Sequence, residues 1–178
     1  PDCRLICRRL GGLATDALFP VRTAMNISAP ALIRLMTPAD YPAAHALWTT
    51  TPGMGLHSVD DSPEGITRYL QRNPESCFVA ERSGRLVGTV LAGHDGRRGF
   101  IYHLAVAPDA QRRGIADALV NAALQALRVQ QIQKVALLIY RDNHNGNAFW
   151  DKRRFSRRED VYYRDQWLKP DKFHTDNR

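Results

Sequence analysis

One short segment has the residue types and the spacing needed to bind an anion through the protein backbone. It reads Gln111-Arg112-Arg113-Gly114-Ile115-Ala116. Because glycine has no side chain and tolerates left-handed conformations, a ligand can approach the main chain closely at Gly114. If a helix begins here, its first N–H groups have no partner inside the helix, and its dipole adds partial positive charge. The segment therefore predicts a phosphate or pyrophosphate site, with Arg112 and Arg113 as candidate phosphate contacts.

The flanking sequence indicates a strand, a tight turn and a helix around this segment. An apolar run at residues 100–106 predicts the strand, and residues 107–110 predict the turn. Apolar residues then recur with helical period on one face: Ile115, Leu119, Val120, Ala123, Leu124 and Leu127. A second apolar run, residues 135–140, predicts a strand that is buried on both faces and parallel to the strand before the helix.

The rest of the chain predicts a single α/β domain with a mixed, mostly antiparallel sheet flanked by helices. We expect strands at 31–35, 76–82, 85–91, 161–163 and 166–168, helices from Thr37-Pro38, from Ser62 to about Asn73 and at 148–153, a loop at 93–99, and a turn at 143–147. The domain spans residues 25–178. Residues 1–24, with Arg residues between short apolar stretches, are expected to be a disordered N-terminal extension.

Composition narrows the functional classes. The chain has 178 residues, 44% of them hydrophobic, and no apolar run approaches the ~20 residues of a membrane span. The net charge is +7 and the pI is about 9.7. The basic residues are spread along the chain, and a polyanionic ligand accounts for part of this charge, which disfavours nucleic acid as the partner. Three cysteines and six histidines show neither a disulfide framework nor metal-ligand spacing, so we expect a cytoplasmic protein without a metal.

The segment 111–116, directly after a strand that ends Leu104-Ala105-Val106, resembles the acyl-CoA-binding segment of the GNAT superfamily of N-acetyltransferases. The resemblance covers residues 31–168 and implies the GNAT-like fold, in which two parallel strands splay apart and admit the pantetheine arm. It also implies that the arm pairs with the backbone of Leu104, Ala105 and Val106, and that the Val106 N–H faces the thioester oxygen. By the same resemblance, Gln111, Arg112, Arg113, Gly114, Ile115, Ala116 and Asn143 bind the coenzyme.

Two departures from the family pattern leave the general acid open. Trp150 stands where relatives often have a tyrosine that protonates the leaving thiolate, and an indole N–H is not acidic enough for that role. Arg154 stands where relatives have glycine, which disfavours a backbone turn with positive φ. Tyr140 and Tyr163 are candidate substitutes, with Tyr162 or water as alternatives; each tyrosine can also be a purely structural aromatic.

The general base is also open, because the two central strands carry no glutamate. An amine arrives as an ammonium ion and must lose a proton before it attacks. His103 is the titratable side chain on these strands whose type ordinarily titrates near neutral pH, so we hypothesise that it is the base or a proton relay. A buried structural histidine is the alternative. Trp48 and His57 are expected to line the acceptor pocket, and Asp95 to hold the acceptor amine.

These expectations combine into a function. We expect transfer of an acetyl group from acetyl-CoA to a primary amine by direct attack in a ternary complex; the acceptor is a small-molecule amine or a protein amine. The acidic residues Asp60, Asp61 and Asp95 favour a cationic acceptor. The alternative is a module that binds acyl-CoA without transferring the acyl group. The oligomeric state, monomer or homodimer, stays open.

Overall fold

The computed structural model describes residues 30–166 and 168, and the backbone of 174–175; the expected extension at 1–24 lies outside this part. The elements are β1 Leu32–Leu35, α1 Tyr41–Thr50, β2 Leu56–His57, α2 Pro63–Arg72, β3 Phe78–Arg82, β4 Arg85–His94, β5 Gly99–Val106, α3 Ile115–Val129, β6 Val135–Leu137, α4 His144–Lys152 and β7 His174–Thr175. Two single-turn 3₁₀ helices, Pro38–Asp40 and Pro108–Ala110, precede α1 and α3.

The main sheet has five strands in the order β1-β3-β4-β5-β6. Its first four strands pair antiparallel, and β6 pairs parallel with β5 through the α3 crossover. This confirms the predicted mixed, mostly antiparallel sheet flanked by helices. The short strands β2 and β7 form a separate antiparallel pair.

The core lies between the sheet and its helices. All six predicted core positions of α3 are buried or partly buried, and Leu119 and Leu127 have no exposed surface. Burying a leucine side chain contributes about 1.5–3 kcal/mol, so the apolar face of α3 is a main source of stability. On α1, Trp48 is the largest fully buried side chain. Among the described residues, no helix is both long enough and apolar enough to cross a membrane.

Some predicted boundaries are wrong near the turns. β4 extends to His94 and β5 begins at Gly99, so the connecting turn is shorter than the predicted loop at 93–99. The final helix begins at His144, within the predicted turn, because the Asn143 side chain accepts a hydrogen bond from the Gly146 N–H at 2.9 Å and caps it.

Three predictions for strands are also wrong. β6 ends at Leu137 and is not buried on both faces: Val135 and Leu137 are half-buried whereas Ala136 and Leu138 are exposed, so only one face of this edge strand is covered. Residues 161–163 do not form a strand and are exposed to solvent. The predicted strand at 166–168 is also absent from its described residues, whereas the short strand β7 was not predicted.

Candidate active site

The sheet opens into a cleft where β5 and β6 part. The two strands pair only between Gly99–Ile101 and Val135–Leu137, and no described residue pairs with the β6-facing edge of β5 beyond Ile101. The Ala107 N–H donates to the Val87 carbonyl at 2.8 Å. Because backbone groups alternate in direction along a strand, those of Val106 and Leu104 face away from β4 and into the cleft. We call residues 102–106 the open edge of β5.

The loop at 111–114 continues from this edge to the start of α3. Gly114 caps the helix with φ at 78°, and Arg112 also has a positive φ of 59°. The first bond of the helix is donated by the Ala118 N–H to the Gly114 carbonyl at 3.0 Å, so the amides of residues 115–117 precede it. Ile115 is buried and Ala116 half-buried, which anchors this end of the helix against the sheet.

Gln111 joins the loop to the open edge. Its side-chain amide donates to the Val106 carbonyl at 3.0 Å. The exposed loop and the β5 edge are therefore one unit, as the predicted coenzyme site requires. Arg113 is also exposed, and it lies in the same loop as Gln111 and Gly114.

The other wall of the cleft continues from β6 to an asparagine-rich turn. The Asn147 amide donates to the carbonyls of Tyr140 and Asn143 at 2.9 and 2.8 Å, which fixes the chain between them. The loop between α1 and β2 packs on this wall without room for side chains. A Cβ at Gly53 would lie 2.9 Å from the Asn143 amide nitrogen, and one at Gly55 would lie 2.6 Å from the Tyr140 hydroxyl. Asn143 and Tyr140 are thus held opposite the open edge of β5.

A buried imidazole–carboxylate pair lies beside the cleft. His103 Nε2 is 2.5 Å from Asp61 Oδ1, and the two side chains are 11% and 8% exposed. The other carboxylate oxygen of Asp61 accepts the His57 backbone N–H at 2.7 Å. Burial pushes the pKa of Asp61 upward, but the hydrogen bond and charge of His103 and the His57 N–H outweigh it and hold the pKa below its usual value. Asp61 is therefore ionised at neutral pH and can stabilise a positive imidazolium.

His103 also lies in a β-bulge, where β5 has one residue more than β4. Leu91 is opposite Tyr102 and Thr89 is opposite Ala105, so both His103 and Leu104 lie opposite Val90. His103 has φ at 48°, in the left-handed region, which costs roughly 1–2 kcal/mol for a residue with a side chain. Bulges redirect side chains, and this one turns His103 towards α1 and Asp61.

Two residues, Thr89 and Trp48, support the bulge on the α1 side. The Thr89 hydroxyl donates to the His103 carbonyl at 2.9 Å, and the Trp48 indole N–H donates to the same hydroxyl at 2.8 Å. The rings of Trp48 and His103 are 4.7 Å apart between centroids. Trp48 has no exposed surface, so it does not line a pocket as expected but packs beneath His103.

The remaining predicted acceptor-site residues lie in different places. Asp95 lies in the β4–β5 turn and accepts the N–H groups of Arg97 and Arg98, each at 2.7 Å. That turn lies before Gly99, the start of β5, and Gly99 is about 13 Å along the strand from His103, so Asp95 is not brought to the cleft. His57, in contrast, lies next to Asp61 and contributes its backbone N–H.

The aromatic candidates for the general acid also differ in their surroundings. Tyr163 is 67% exposed, whereas Tyr140 is half-buried in the cleft wall. Trp150 is buried and packs its ring against Phe149 and Phe155, with centroids 5.0 and 4.8 Å away, which makes it a core residue. Arg154 has φ at 63°, so the turn with positive φ is present and the expectation drawn from its side chain is wrong.

Comparison with known proteins agrees with this geometry. Residues 41–155 match the model of the acetyltransferase (GNAT) family. An acetyltransferase from Pectobacterium atrosepticum is 34% identical over 120 residues, which covers 67% of this chain and 84% of the relative. The chain belongs to the GNAT family. It is therefore an acyltransferase, and the predicted family and fold are confirmed.

Solved GNAT structures have the same fold. Ard1 from Thermoplasma volcanium superposes with a TM-score of 0.63 at 24% identity, covering 70% of this chain and 82% of Ard1. Rv2747 from Mycobacterium tuberculosis, crystallised in complex with CoA, has a TM-score of 0.54 at 25% identity and covers 66% of this chain and 70% of its own.

Sequence reasoning missed the carboxylate of this GNAT site. Asp61 was noted only as one of several acids near a pocket, because 42 residues separate it from His103. One local signal was available: Asp61 immediately precedes the N-cap Ser62 and Pro63, so the start of α2 fixes its place in the chain.

Proposed function

We propose that this GNAT protein transfers an acetyl group from acetyl-CoA to a primary amine by direct attack within a ternary complex. The observation that carries the proposal is the buried His103–Asp61 pair beside the open edge of β5. The edge provides backbone groups for a pantetheine arm at Leu104, Ala105 and Val106. Residues 111–116 provide amide hydrogens and cations for the phosphates, and the relative crystallised with CoA supports this ligand.

His103 is proposed as the general base. A carboxylate only accepts hydrogen bonds, so Nε2 of His103 carries the proton that faces Asp61 and Nδ1 has the lone pair. Among the described residues, Nδ1 has no hydrogen-bond partner, which leaves it available to the acceptor. Nδ1 takes a proton from the ammonium group, and Asp61 stabilises the resulting imidazolium.

The neutral amine then attacks the thioester carbonyl. A C–N bond forms, negative charge develops on the carbonyl oxygen, and the C–S bond breaks to release the CoA thiolate. Backbone N–H groups of the open edge, at Leu104 and Val106, are placed to stabilise the oxygen. The C–S bond breaks from the tetrahedral intermediate, and the second N–H proton of the attacking amine passes to the leaving thiolate through Tyr140 or water, which leaves the amide product and free CoA.

Tyr140 is the stronger of the two tyrosine candidates for protonating the thiolate. It is half-buried in the cleft wall and faces the α1–β2 loop, whereas Tyr163 is largely exposed. Water is the alternative, because a thiolate is a good leaving group and a proton is not essential to its departure.

The acceptor is proposed to be a primary amine, and the positions of three acidic residues bear on how the site would attract its positive charge. Of the three acids noted in the sequence, Asp95 lies on a remote turn and Asp61 pairs with His103. Asp60, in contrast, is an exposed carboxylate next in sequence to the His103–Asp61 pair. Its charge also contributes, after burial and Tyr163, to a raised pKa at Tyr102, the residue before His103 on β5.

Calorimetry followed by an amine panel tests the proposal. Acetyl-CoA and CoA are titrated into the purified chain, and release of free thiol is then followed with amino acids, polyamines, aminoglycosides and peptides with free amines. We expect saturable binding and turnover with at least one amine class. Binding without turnover on every amine would favour the non-catalytic acyl-CoA module, and absence of binding at millimolar coenzyme would refute the proposal.

A further inference from the structure

We propose that Thr89 is a positioning residue for acetyl transfer, and that Trp48 orients it. The Thr89 hydroxyl holds the β5 bulge in the conformation that presents both the His103 imidazole and the Leu104 amide to the reacting groups. The inference rests on the proposed function, because it assigns a role to residues that touch neither substrate nor coenzyme.

The direction of the two hydrogen bonds at Thr89 is fixed by chemistry. An indole N–H can only donate, so the Thr89 hydroxyl accepts the bond from Trp48 at 2.8 Å. The single hydroxyl proton is then left for the His103 carbonyl, 2.9 Å away, which can only accept. Thr89 and Trp48 are both completely buried, so water does not replace either bond.

The two hydrogen bonds from Trp48 to Thr89 and from Thr89 to His103, together called the Thr89 relay, determine the direction of the Leu104 amide. In a trans peptide the C=O and the N–H of one unit point in opposite directions. The His103 carbonyl points to Thr89 on β4, so the Leu104 N–H of the same unit points away from β4 and into the cleft. The alternation from Ala107 gives the same direction independently. Thr89 therefore fixes a donor at the place where the thioester oxygen is proposed to lie.

The relay also fixes the imidazole. His103 adopts a left-handed backbone conformation, which would be lost if its carbonyl returned to an ordinary strand ladder. Trp48 packs against its ring at 4.7 Å, and Asp61 binds its Nε2. One buried hydroxyl thus connects the backbone that carries the base with the aromatic ring that supports it.

Steady-state kinetics with the most active amine of the panel test the proposal. Thr89→Val keeps the shape of the side chain and removes the hydroxyl; we expect kcat to fall about 100-fold, the lower end of the cost of losing an oxyanion donor, with the KM for acetyl-CoA nearly unchanged. Thr89→Ser restores the hydroxyl and should recover most of the lost kcat. An unchanged kcat in Thr89→Val, or no recovery in Thr89→Ser, would overturn the proposal.

Ser76→Ala is the matched control for lost stability. Ser76 is also fully buried, and its hydroxyl donates to a β4 carbonyl, that of Ala92, away from the bulge. We expect both Ser76→Ala and Thr89→Val to lower the melting temperature, but only Thr89→Val to lower kcat. A similar loss of kcat in both would show that the effect is general loosening of the sheet and would overturn the positioning role.

Trp48→Phe tests the relay without altering Thr89. It removes the indole N–H and keeps an aromatic ring; we expect a fall in kcat of about 5- to 10-fold, and the double variant with Thr89→Val should be no worse than Thr89→Val alone. Additive losses would contradict a shared relay. If Thr89→Val does not fold, Trp48→Phe alone decides the question, because full kcat in that variant would refute the relay.

An NMR readout separates failure of this inference from failure of the proposed function. On addition of acetyl-CoA without an acceptor, the ¹⁵N–¹H signal of Leu104 should shift in the wild type and shift much less in Thr89→Val or Trp48→Phe. Equal shifts would overturn the role of Thr89 even if the wild type acetylates amines. If the wild type shows the Leu104 shift but acetylates no amine, the proposed function is refuted and the role of Thr89 in orienting the amide is not.

Discussion

The two walls of the proposed site, one for the coenzyme and one for the acceptor, are built from different kinds of interaction. On the coenzyme side, backbone groups of the open edge and of residues 111–116 are joined within a short stretch of chain. On the acceptor side, the dyad and the Thr89 relay join side chains separated by about 40 residues. A backbone site tolerates side-chain changes provided the main chain keeps its shape, whereas the acceptor side depends on individual functional groups. Substitutions should therefore separate the two sides, with turnover lost on one and coenzyme affinity lost on the other.

The largest loss of turnover is expected from a change at His103, the proposed base. In His103→Gln the amide can still donate to Asp61, so the buried carboxylate keeps a partner, but no group remains to take the ammonium proton. We expect kcat to fall about 10²- to 10³-fold, within the range for general base catalysis, while the Kd for acetyl-CoA changes less than about twofold. Stopped-flow or steady-state thiol release, with calorimetry, measures both.

His94→Gln is the control for this variant. His94 is also half-buried on the same hairpin, but its Nδ1 accepts the Gly96 N–H and its Nε2 lies 2.6 Å from Gln130 Oε1, far from the cleft. Its turnover should match the wild type. Full turnover in His103→Gln would leave no base on the acceptor side and would remove the contrast between the two walls.

Asp61→Asn is expected to have the next largest effect. The amide no longer stabilises an imidazolium, and a hydrogen bond to a charged group contributes about 1.5–3 kcal/mol, so we expect kcat to fall about 30-fold with unchanged coenzyme affinity. A fall in coenzyme affinity as large as the fall in kcat would instead place Asp61 in the coenzyme site.

The same variant should alter the pH dependence of stability. Because the folded-state pKa of Asp61 is below the usual 3.8, its contribution to the free energy of unfolding is present above that pH and is lost as the pH falls through the folded pKa. Urea unfolding from pH 7 down to pH 3 should therefore show a steeper loss of stability in the wild type than in Asp61→Asn. Equal slopes would refute the lowered pKa.

Gly114→Ala addresses the coenzyme side. Its φ of 78° disfavours any side chain, although a Cβ would meet no atom within 4 Å. We expect a cost of about 1 kcal/mol in this backbone conformation, distortion of the first turn of α3, and a rise in the Kd for acetyl-CoA of about fivefold with kcat little changed.

Gly84→Ala is a close control for that change. Gly84 has φ at 73° and equally open surroundings, but lies in the turn between β3 and β4. It should lose similar stability and keep coenzyme affinity. If both variants bind acetyl-CoA as the wild type does, the loop at 111–114 is not part of the coenzyme site.

The smallest effect is expected at Arg154. Its φ of 63° favours glycine, so Arg154→Gly should raise the free energy of unfolding by about 0.5–1 kcal/mol, or the melting temperature by about 2–4 °C. Turnover and coenzyme affinity should not change, because Arg154 is exposed after α4. Thermal unfolding checks the sign; a lower melting temperature would show that the side chain contributes more than the turn costs.

The elements that the sequence predicted well are those that depend on local pattern. The face of α3, the strand before it and the cap at Ser62 each follow from residues a few positions apart. The burial of β6 did not follow, because an apolar run indicates a strand but does not show whether a neighbour covers it. Residues 161–163 show the same limit, since β-forming residues there lie exposed without a partner strand.

The residues of the candidate site also divide into those that depend on local pattern and those that depend on long-range contact. The backbone conformation at Gly114 and at residues 104–106 follows from local pattern beside a recognisable turn, and the role of these residues in coenzyme binding stays a prediction. His103 was singled out for its chemistry, and its role as a base stays a proposal. Its bulge, its partner Asp61 and its bond to Thr89 were not predicted, because they arise from register and long-range contact. Trp48 was expected to line the acceptor pocket, but it is buried and packs beneath His103.

The bond between Gln111 and the Val106 carbonyl has a consequence for the arrival of the coenzyme. A pantetheine amide that pairs with this carbonyl, as proposed, meets an oxygen that already accepts one hydrogen bond, so the Gln111 amide competes with the arm for it. The exchange replaces one hydrogen bond with another of similar strength, and little enthalpy is gained at that position.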